Sequence, residues 1–190
     1  MAGATQLSAR SVRQQSMLEI RPAQRADLGQ VAAIHVASWR AAYHGLVSAE
    51  ILASLSLEKR KSAWEGWFET PGAQLWAACR AGHMLGFARL QPAPHSEKLP
   101  PGFGELTHLY LEPAAYGTGV GRPLFRRVVQ SAREISLAGI ALWVLEENSR
   151  ARMFYEREGL ATDGARQTRP QWLGDGVYEV RYRLPFGPAA

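Results

Sequence analysis

The chain has 190 residues, which is enough for one domain with a substantial core and short for two. Hydrophobic residues make up 46% and charged residues 21%, a globular composition, and no apolar run approaches the ~20 residues that a membrane helix needs. The net charge of +5 comes from scattered arginines, which does not indicate nucleic-acid binding and is equally consistent with a small polyanionic ligand.

The N-terminal residues contain no Asp or Glu and no apolar segment of signal-peptide length. We therefore expect a flexible tail over residues 1–16, a domain over 17–185, a C-terminal tail over 186–190 and a cytoplasmic location. The single cysteine, Cys79, falls in an apolar stretch typical of a strand. A buried small side chain is expected there rather than a nucleophile.

Hydrophobic periodicity predicts helices in the first part of the chain. Asp27 and Gln30 have the spacing of a capping box ahead of the first helix, and Ser48 and Ser56 are suited to cap two more. The expected elements are a strand from Leu18 to Arg21, a helix running to about Tyr43, a short helix ending at Leu55, and a helix carrying Leu57, Trp64 and Phe68.

Strands dominate the next part, and a hairpin is expected at Ala81-Gly82. A stretch with four prolines, from Gln91 to Gly104, predicts a surface loop. The expected elements are strands at Leu75–Arg80, Met84–Leu90, Glu105–Leu111, Ile140–Leu145 and Val177–Leu184, and helices at Pro123–Ile135 and Ser149–Glu158. No repeat or linker divides this series, so it predicts a single mixed α/β sheet.

Three glycines at alternate positions, Gly117, Gly119 and Gly121, come immediately before a predicted helix. Glycines let the backbone approach a ligand closely, and the amides at a helix N-terminus attract phosphate. Arg122 is placed to add a charged contact. A plain flexible turn that leads into the helix remains the alternative.

Two other phosphate-binding motifs do not fit these residues. A P-loop requires Gly-Lys-Ser/Thr, whereas Gly121 is followed by Arg122 and Pro123. A dinucleotide fold requires G-x-G-x-x-G directly at a strand end, and the glycines here have another spacing and lie beyond Pro113. Neither an NTPase nor a dehydrogenase is indicated.

Three segments together resemble the core of the GNAT superfamily of N-acetyltransferases. They are Glu-Leu-Thr-His-Leu-Tyr-Leu-Glu-Pro at 105–113, Gly-Thr-Gly-Val-Gly-Arg at 117–122, and Asn-Ser-Arg-Ala-Arg-Met-Phe-Tyr-Glu at 148–156, followed by Gly159. The resemblance extends over residues 17–184. It departs from the family at Tyr116, where Gln or Arg is usual, which puts that side chain's contact with the ligand in doubt.

The resemblance implies one α/β (mixed α+β) domain whose central, mostly antiparallel twisted sheet has two splayed strands and flanking helices. It also implies that acetyl-CoA binds as cosubstrate, with its pantetheine arm between the splayed strands and no metal. The residues implied in binding it are Leu109, Tyr110, Leu111, Tyr116, Gly117, Thr118, Gly119, Val120, Gly121, Arg122, Asn148 and Ala151. Asn148 is equally suited to cap the following helix.

Catalysis requires removal of a proton from an amine of pKa ~10 and departure of a thiolate. The resemblance places Glu105 where relatives often carry a catalytic Glu, acting directly or through water, with an ordinary exposed carboxylate as the alternative. It places Tyr155 as the general acid, with a core tyrosine beside Phe154 as the alternative. His108 is a weaker candidate, because strand alternation puts it on the opposite face from Glu105 unless a bulge intervenes.

Aromatic residues on the early helices lie where the family builds its acceptor pocket. Trp39 and Tyr43 are candidates for substrate binding, although core packing is the commoner role of such residues, as it is for Trp64 and Trp67. We expect a small-molecule amine substrate, without nucleic-acid or membrane partners, and leave open a homodimer. A protein N-terminal or lysine acetyltransferase and a non-catalytic acyl-CoA sensor are the alternatives.

Overall fold

A seven-stranded sheet flanked by helices organises the chain. The computed structural model describes residues 17–92, 99–168 and 176–187. The strands are β1 (Glu19–Pro22), β2 (Gln74–Arg80), β3 (His83–Gln91), β4 (Phe103–Leu111), β5 (Gly139–Leu145), β6 (Ala161–Thr168) and β7 (Tyr178–Pro185). The helices are α1 (Leu28–Ala42), α2 (Ala49–Ala53), α3 (Leu57–Phe68), α4 (Gly121–Glu134) and α5 (Ser149–Arg157), with single 3-10 turns at Arg25–Asp27 and Pro113–Ala115.

The sheet has the order β1-β2-β3-β4-β5-β7-β6, and every neighbouring pair is antiparallel except β4 and β5. Pairing between those two parallel strands covers only Phe103–Glu105 against Gly139–Ala141. The remainder of both strands is unpaired on this side and borders a gap in the middle of the sheet. The predicted mixed, mostly antiparallel sheet with splayed central strands is therefore confirmed.

Apolar packing covers both faces of the sheet. On one face, Leu124, Phe125 and Val128 of α4 pack in a core cluster with Leu106 and Leu142 of the central strands. On the other face, side chains of α1 and α3 pack against β2 and β3 in a second cluster, which contains Leu28, Val31, Ile34, Trp64, Leu75, Met84 and Phe87. No helix within the described ranges combines the length and the apolarity needed to cross a membrane.

The first helix begins without the capping box that the sequence predicts. Asp27 lies buried in a bidentate pair with the Arg21 guanidinium, at 2.7 and 2.9 Å, and accepts a hydrogen bond from the Gln24 amide. Gln30 instead accepts from the amide of Met84 on β3. The prediction was wrong because a buried carboxylate requires a charged partner, and that pair lowers the pKa of Asp27.

Other local predictions are confirmed. Ser48 and Ser56 accept hydrogen bonds from the amides of Ile51 and Lys59, and so cap α2 and α3. Both central residues of the β2–β3 hairpin, at 81–82, have left-handed backbone, with φ of 51° and 78°. The buried Cys79 lies on β2, as expected.

The edge strand β6 is absent from the sequence prediction. Its sequence, Ala-Thr-Asp-Gly-Ala-Arg-Gln-Thr, lacks the apolar alternation that identifies strands, and Gly164 has a φ of 81°. Asp163 on β6 lies 2.6 Å from Arg181 and 2.8 Å from Arg183 of β7. Ion pairs with β7 thus accompany the pairing of this strand. The local sequence of β6 does not reveal these distant partners, so the strand could not be predicted from it.

The chain ends and the proline-rich loop fall partly outside the described residues. The predicted N-terminal tail at 1–16, residues 188–190 of the predicted C-terminal tail at 186–190, and residues 93–98 of the proline-rich loop lie outside the described residues. The predicted loop is shorter than expected, since Gln91 belongs to β3 and Phe103 and Gly104 belong to β4.

Candidate active site

A cavity of about 390 Å³ opens at the gap between β4 and β5. Its walls come from β4, from the glycine-rich loop that leads into α4, and from α5. Ten of the twelve residues predicted to bind acetyl-CoA line it, and they are Leu109, Tyr110, Leu111, Tyr116, Gly117, Gly119, Gly121, Arg122, Asn148 and Ala151. Tyr155 and Tyr43 line it as well.

The two remaining predicted residues hold the loop in place from behind. Val120 is 1% exposed within the core cluster under α4, and the Thr118 hydroxyl donates to the Ala115 carbonyl at 2.7 Å. Gly117 and Gly119, which alternate with them, have φ of 72° and 86° and line the cavity. The loop therefore presents bare backbone to the cavity and anchors itself through its side chains.

Positive charge surrounds the loop. α4 begins at Gly121, so the positive end of its dipole is directed at the cavity. Arg122, Arg150 and Arg157 line the cavity, while Arg122 also bonds Glu158 at 2.6 Å. Amides, dipole and guanidiniums together provide a site suited to a pyrophosphate.

Tyr116, where the sequence departs from the family, is held on both sides. Its hydroxyl shares a hydrogen bond of 3.0 Å with Ser38 of α1, and the Arg150 guanidinium lies 4.1 Å from its ring centroid. Sequence reasoning missed Arg150. A cation in the first turn of a helix opposes the helix dipole, and this unfavourable position is the signal that could have identified it as an anion ligand.

The N-terminal turn of α5 confirms the predicted cap. The Asn148 side chain accepts a hydrogen bond of 3.2 Å from the amide of Ala151, so α5 begins at the cavity wall. One helical turn later, Phe154 and Tyr155 both line the cavity. Both rings are therefore part of the cavity wall.

Tyr155 is 8% exposed and packs among other rings. Its ring centroid lies 5.4 Å from that of Phe154 and 6.4 Å from those of Phe125 and Tyr182. Burial raises the pKa of the Tyr155 phenol well above its ordinary value of 10, with a smaller contribution from Tyr110. The hydroxyl therefore remains protonated at every physiological pH.

The backbone of β4 directs amides into the gap. The Glu112 amide donates to the Leu85 carbonyl on β3 at 2.8 Å. Because successive residues of a strand direct their amides to opposite edges, Leu111 and Leu109 present theirs to the edge that faces β5. These N–H groups are placed to bind a carbonyl oxygen in the gap.

A second cavity of about 410 Å³ lies beside the first. The two cavities share Leu106, Thr107, Tyr110 and Trp143, residues of the splayed strands. Glu105 and Trp39 line only the second cavity. The rest of its lining is His35, Arg60, Trp67, His108, Gln167 and Glu179.

A β-bulge brings two of these residues to one face. Leu90 on β3 pairs with Leu106, but the next residue, Arg89, pairs with His108, so Thr107 is an extra residue in β4. The bulge turns His108 to the face that carries Glu105. The sequence prediction placed His108 on the opposite face unless a bulge intervened, and the structure contains that bulge.

His35 is a buried, neutral histidine that lines this cavity. It is 2% exposed, and its Nδ1 accepts a hydrogen bond of 3.1 Å from the Trp64 indole. Burial, with smaller contributions from His108 and Arg60, lowers the pKa of His35 to about 2. The proton is therefore on Nε2, which has no hydrogen-bond partner among the residues that the structure describes.

The early aromatic residues have mixed roles. Trp64 is fully buried, so the core interpretation is correct for it. Trp39 is buried, donates from its indole to the Tyr110 hydroxyl at 2.9 Å, and still lines the second cavity. Tyr43 lies in the first cavity instead.

Charges in the second cavity come from both walls. Glu105 and Glu179 project from the sheet; burial lowers the pKa of Arg89, and the charge of Glu105 partly offsets that effect. Arg60 projects from α3. Among the described residues, no group of three or more His, Cys, Asp or Glu side chains is placed to hold a metal ion.

Comparisons with known proteins agree with this geometry. The Mycobacterium tuberculosis protein named probable N-acetyltransferase Rv2775 is 28% identical over 172 residues, which cover 89% of this chain and 94% of that protein. The PaiA N-acetyltransferase from Thermoplasma acidophilum, solved with coenzyme A, superposes with a TM-score of 0.70 at 21% identity, covering 90% of this chain and 99% of that one. YncA from Salmonella typhimurium, solved with its cofactor acetyl-CoA, gives a TM-score of 0.69 at 20% identity, covering 92% and 97%.

PaiA and YncA share the fold of this chain, and both were solved with coenzyme A or its acetyl form. The model of the acetyltransferase (GNAT) family matches residues 33–160, which span the glycine-rich loop, the splayed strands and Tyr155. The chain is an N-acetyltransferase and belongs to the GNAT family.

Proposed function

We propose that the protein transfers the acetyl group of acetyl-CoA to a primary amine of a small molecule, by direct attack within a ternary complex. The observation that carries the proposal is that two cavities meet at the gap between β4 and β5, where they share Leu106, Thr107, Tyr110 and Trp143. One cavity suits a phosphorylated cosubstrate and the other an amine. Direct transfer requires such a junction.

Acetyl-CoA is assigned to the first cavity. The pyrophosphate binds to the amides of the glycine-rich loop at 117–121, with Arg122 and Arg150 beside it. The pantetheine arm enters the gap along β4 and reaches Asn148 at the start of α5. The thioester then lies at the junction with the second cavity.

The chain supplies two groups for the tetrahedral intermediate. The amides of Leu109 and Leu111 are directed to the gap, and one of them binds the oxyanion, a contribution often worth about 3 kcal/mol. Tyr155 donates its proton to the departing thiolate. Its raised pKa keeps the phenol protonated, so the proton is present when the thiolate departs, but the same shift makes Tyr155 a weaker acid.

The attacking amine must lose a proton before or during attack, since an ammonium has no lone pair. Glu105 lies in the second cavity, where it accepts this proton directly or through water. Arg89 lies close enough to interact electrostatically with Glu105, although burial lowers the pKa of Arg89 overall. The bulge at Thr107 adds His108 to the same face.

The shape of the second cavity favours a small amine over a protein. Its walls come from α1, α3, β4, β5, β6 and β7, and its volume of about 410 Å³ lies in the range usual for small ligands. A peptide acceptor requires an open groove instead. The small-molecule acetyltransferase is therefore the first hypothesis. A protein N-acetyltransferase is the second and a non-catalytic acyl-CoA sensor is the third.

A panel of small amines and peptides, assayed for the release of CoA thiol, tests the proposal. We expect turnover with one class of small amines and none with peptides. Turnover with peptides alone would replace the small-molecule assignment with protein acetylation. Acetyl-CoA binding without turnover on any acceptor would favour the sensor.

A further inference from the structure

Arg60 is a half-buried cation without an acidic partner. Its guanidinium lies 5.9 Å from the Trp39 ring centroid and 5.8 Å from that of Trp67, and it lines the second cavity. Within residues 17–92, 99–168 and 176–187, no hydrogen bond or ion pair joins it to a carboxylate or a carbonyl. Desolvation lowers its pKa, which shows that the charge is partly removed from water. Such a cation is stabilised by an anion that enters the cavity.

Two buried donors of residues that line this cavity have no acceptor among the described residues. They are Nε2–H of His35 and Nε1–H of Trp143, both in residues that line it. A buried donor without a partner costs about 1–3 kcal/mol, and a ligand oxygen would remove that cost. The donors and Arg60 together match a group with several acceptor oxygens and a negative charge.

The sheet contributes the opposite charge. Glu105 and Glu179 line the same cavity, and Glu179 is 3% exposed and accepts a hydrogen bond of 3.0 Å from Gln167. A carboxylate on the sheet side suits an ammonium group. The cavity thus offers a cation from α3 and anions from the strands.

We propose that the acceptor substrate is an amino acid or a similar zwitterion, whose amine faces Glu105 at the junction of the cavities and whose carboxylate binds Arg60. This inference rests on the proposed function and narrows its substrate class. A simple alkylamine leaves Arg60 without a partner. A peptide N-terminus has an amide where a free amino acid has its carboxylate, so it also fails to provide the charge.

Matched pairs of acceptors test this inference, with free amino acids compared with the amines that their decarboxylation gives. CoA release is measured for each, and kcat/KM is compared within each pair. We expect the amino acid to be preferred by about tenfold to a hundredfold, the effect of one hydrogen-bonded charge pair. Intact-mass analysis of the product confirms that the acetyl group is on the amine.

The Arg60→Met variant preserves the apolar stem against the two indoles and removes the charge. We expect the preference for the amino acid within a pair to fall at least about tenfold, because the carboxylate loses its partner. Arg60→Lys retains a charge and should keep part of the preference. Lys61→Met is the matched control, since Lys61 is an exposed cation on the same helix outside the cavity, and it should leave the preference unchanged.

The assays distinguish a failure of the zwitterion assignment from a failure of the proposed function. Equal kcat/KM within the pairs, or an unchanged preference in Arg60→Met, would overturn the zwitterion assignment and leave small-amine acetylation intact. An absence of CoA release with every amine, under conditions where acetyl-CoA binds, would overturn the proposed function and this inference with it.

Discussion

Replacing Tyr155 with Phe removes a single hydroxyl from the candidate active site. The ring contacts with Phe125, Phe154 and Tyr182 do not involve that hydroxyl, so the packing remains and the melting temperature should change little. The chemical step loses the proposed acid for the departing thiolate. The structure therefore predicts separate effects on turnover and stability.

The pKa values of the acid and of the departing thiol limit the expected loss of turnover. General acid catalysis contributes about 10²–10⁴-fold, but a thiol of pKa ~8.5 can leave without full protonation. Burial raises the pKa of Tyr155 and so weakens it as an acid. We therefore expect turnover to fall by roughly 10- to 1000-fold, or about 1.4–4 kcal/mol, with the lower part of the range favoured.

Steady-state release of CoA thiol measures turnover, and calorimetry measures acetyl-CoA affinity, which should be nearly unchanged. Tyr182→Phe is the matched control. The Tyr182 hydroxyl donates to Glu156 at 2.5 Å and accepts from Arg152 at 3.1 Å, so this variant should lose stability while its folded fraction keeps turnover. Wild-type turnover in a stable Tyr155→Phe protein would refute the general-acid assignment, and equal losses of stability and turnover would indicate packing alone.

Three further predictions concern the loop, the base and the buried histidine. Gly119→Asp should weaken acetyl-CoA binding by at least about tenfold in calorimetry with a chelator present. Gly164→Asp is the control, because Gly164 has the same left-handed backbone on β6 and the variant should carry similar strain without that loss of affinity. If the two variants bind acetyl-CoA equally well, the site lies elsewhere. Glu105→Gln should lower turnover mainly at neutral pH and recover partly at alkaline pH, where free amine is abundant, and an unchanged pH profile would remove Glu105 from the mechanism. Because the folded pKa of His35 is lowered to about 2, its contribution to stability is complete above pH ~6.5 and is lost as pH falls, by about 1.5 kcal/mol between pH 6.5 and 5. His35→Asn, which retains an acceptor for Trp64, should flatten that part of the curve measured by denaturant unfolding, and an unchanged slope would contradict the neutral buried state.

The sequence predicted well where local rules determine structure. Helix caps at Ser48, Ser56 and Asn148 depend on a side chain three residues from the amide that it accepts from, so they are visible in the sequence. The three alternate glycines at 117, 119 and 121 ahead of a helix are likewise visible in the sequence, whereas the anchoring by Thr118 and Val120 is not. These features predicted the loop and the start of the cavity wall.

Features that depend on distant partners were not predictable. The capping box at Asp27 gave way to a bidentate pair with Arg21 across a turn. β6 lacks apolar alternation, and the pairing partners that define it come from β7. The bulge at Thr107 is visible only in the register between β3 and β4, although it decides that His108 shares a face with Glu105.

The residues of the second cavity were also not predictable from local sequence. Arg60, His35 and Glu179 come from α3, α1 and β7, and nothing in their local sequence indicates that they line one cavity. Arg150 could have been found, since its charge opposes the dipole at the start of α5. The fold brings these residues together, and their common role becomes apparent only in three dimensions.

Direct transfer at the junction of the two cavities is the central claim, and a single-turnover experiment tests it most directly. The protein is mixed with isotopically labelled acetyl-CoA, without and then with a small amine acceptor, and the masses of intact protein and product are followed over time. We expect the label to remain on CoA until the amine is added and then to appear on the amine alone. Labelled acetyl covalently bound to the protein, formed without acceptor and then passed to the amine, would contradict direct attack in a ternary complex.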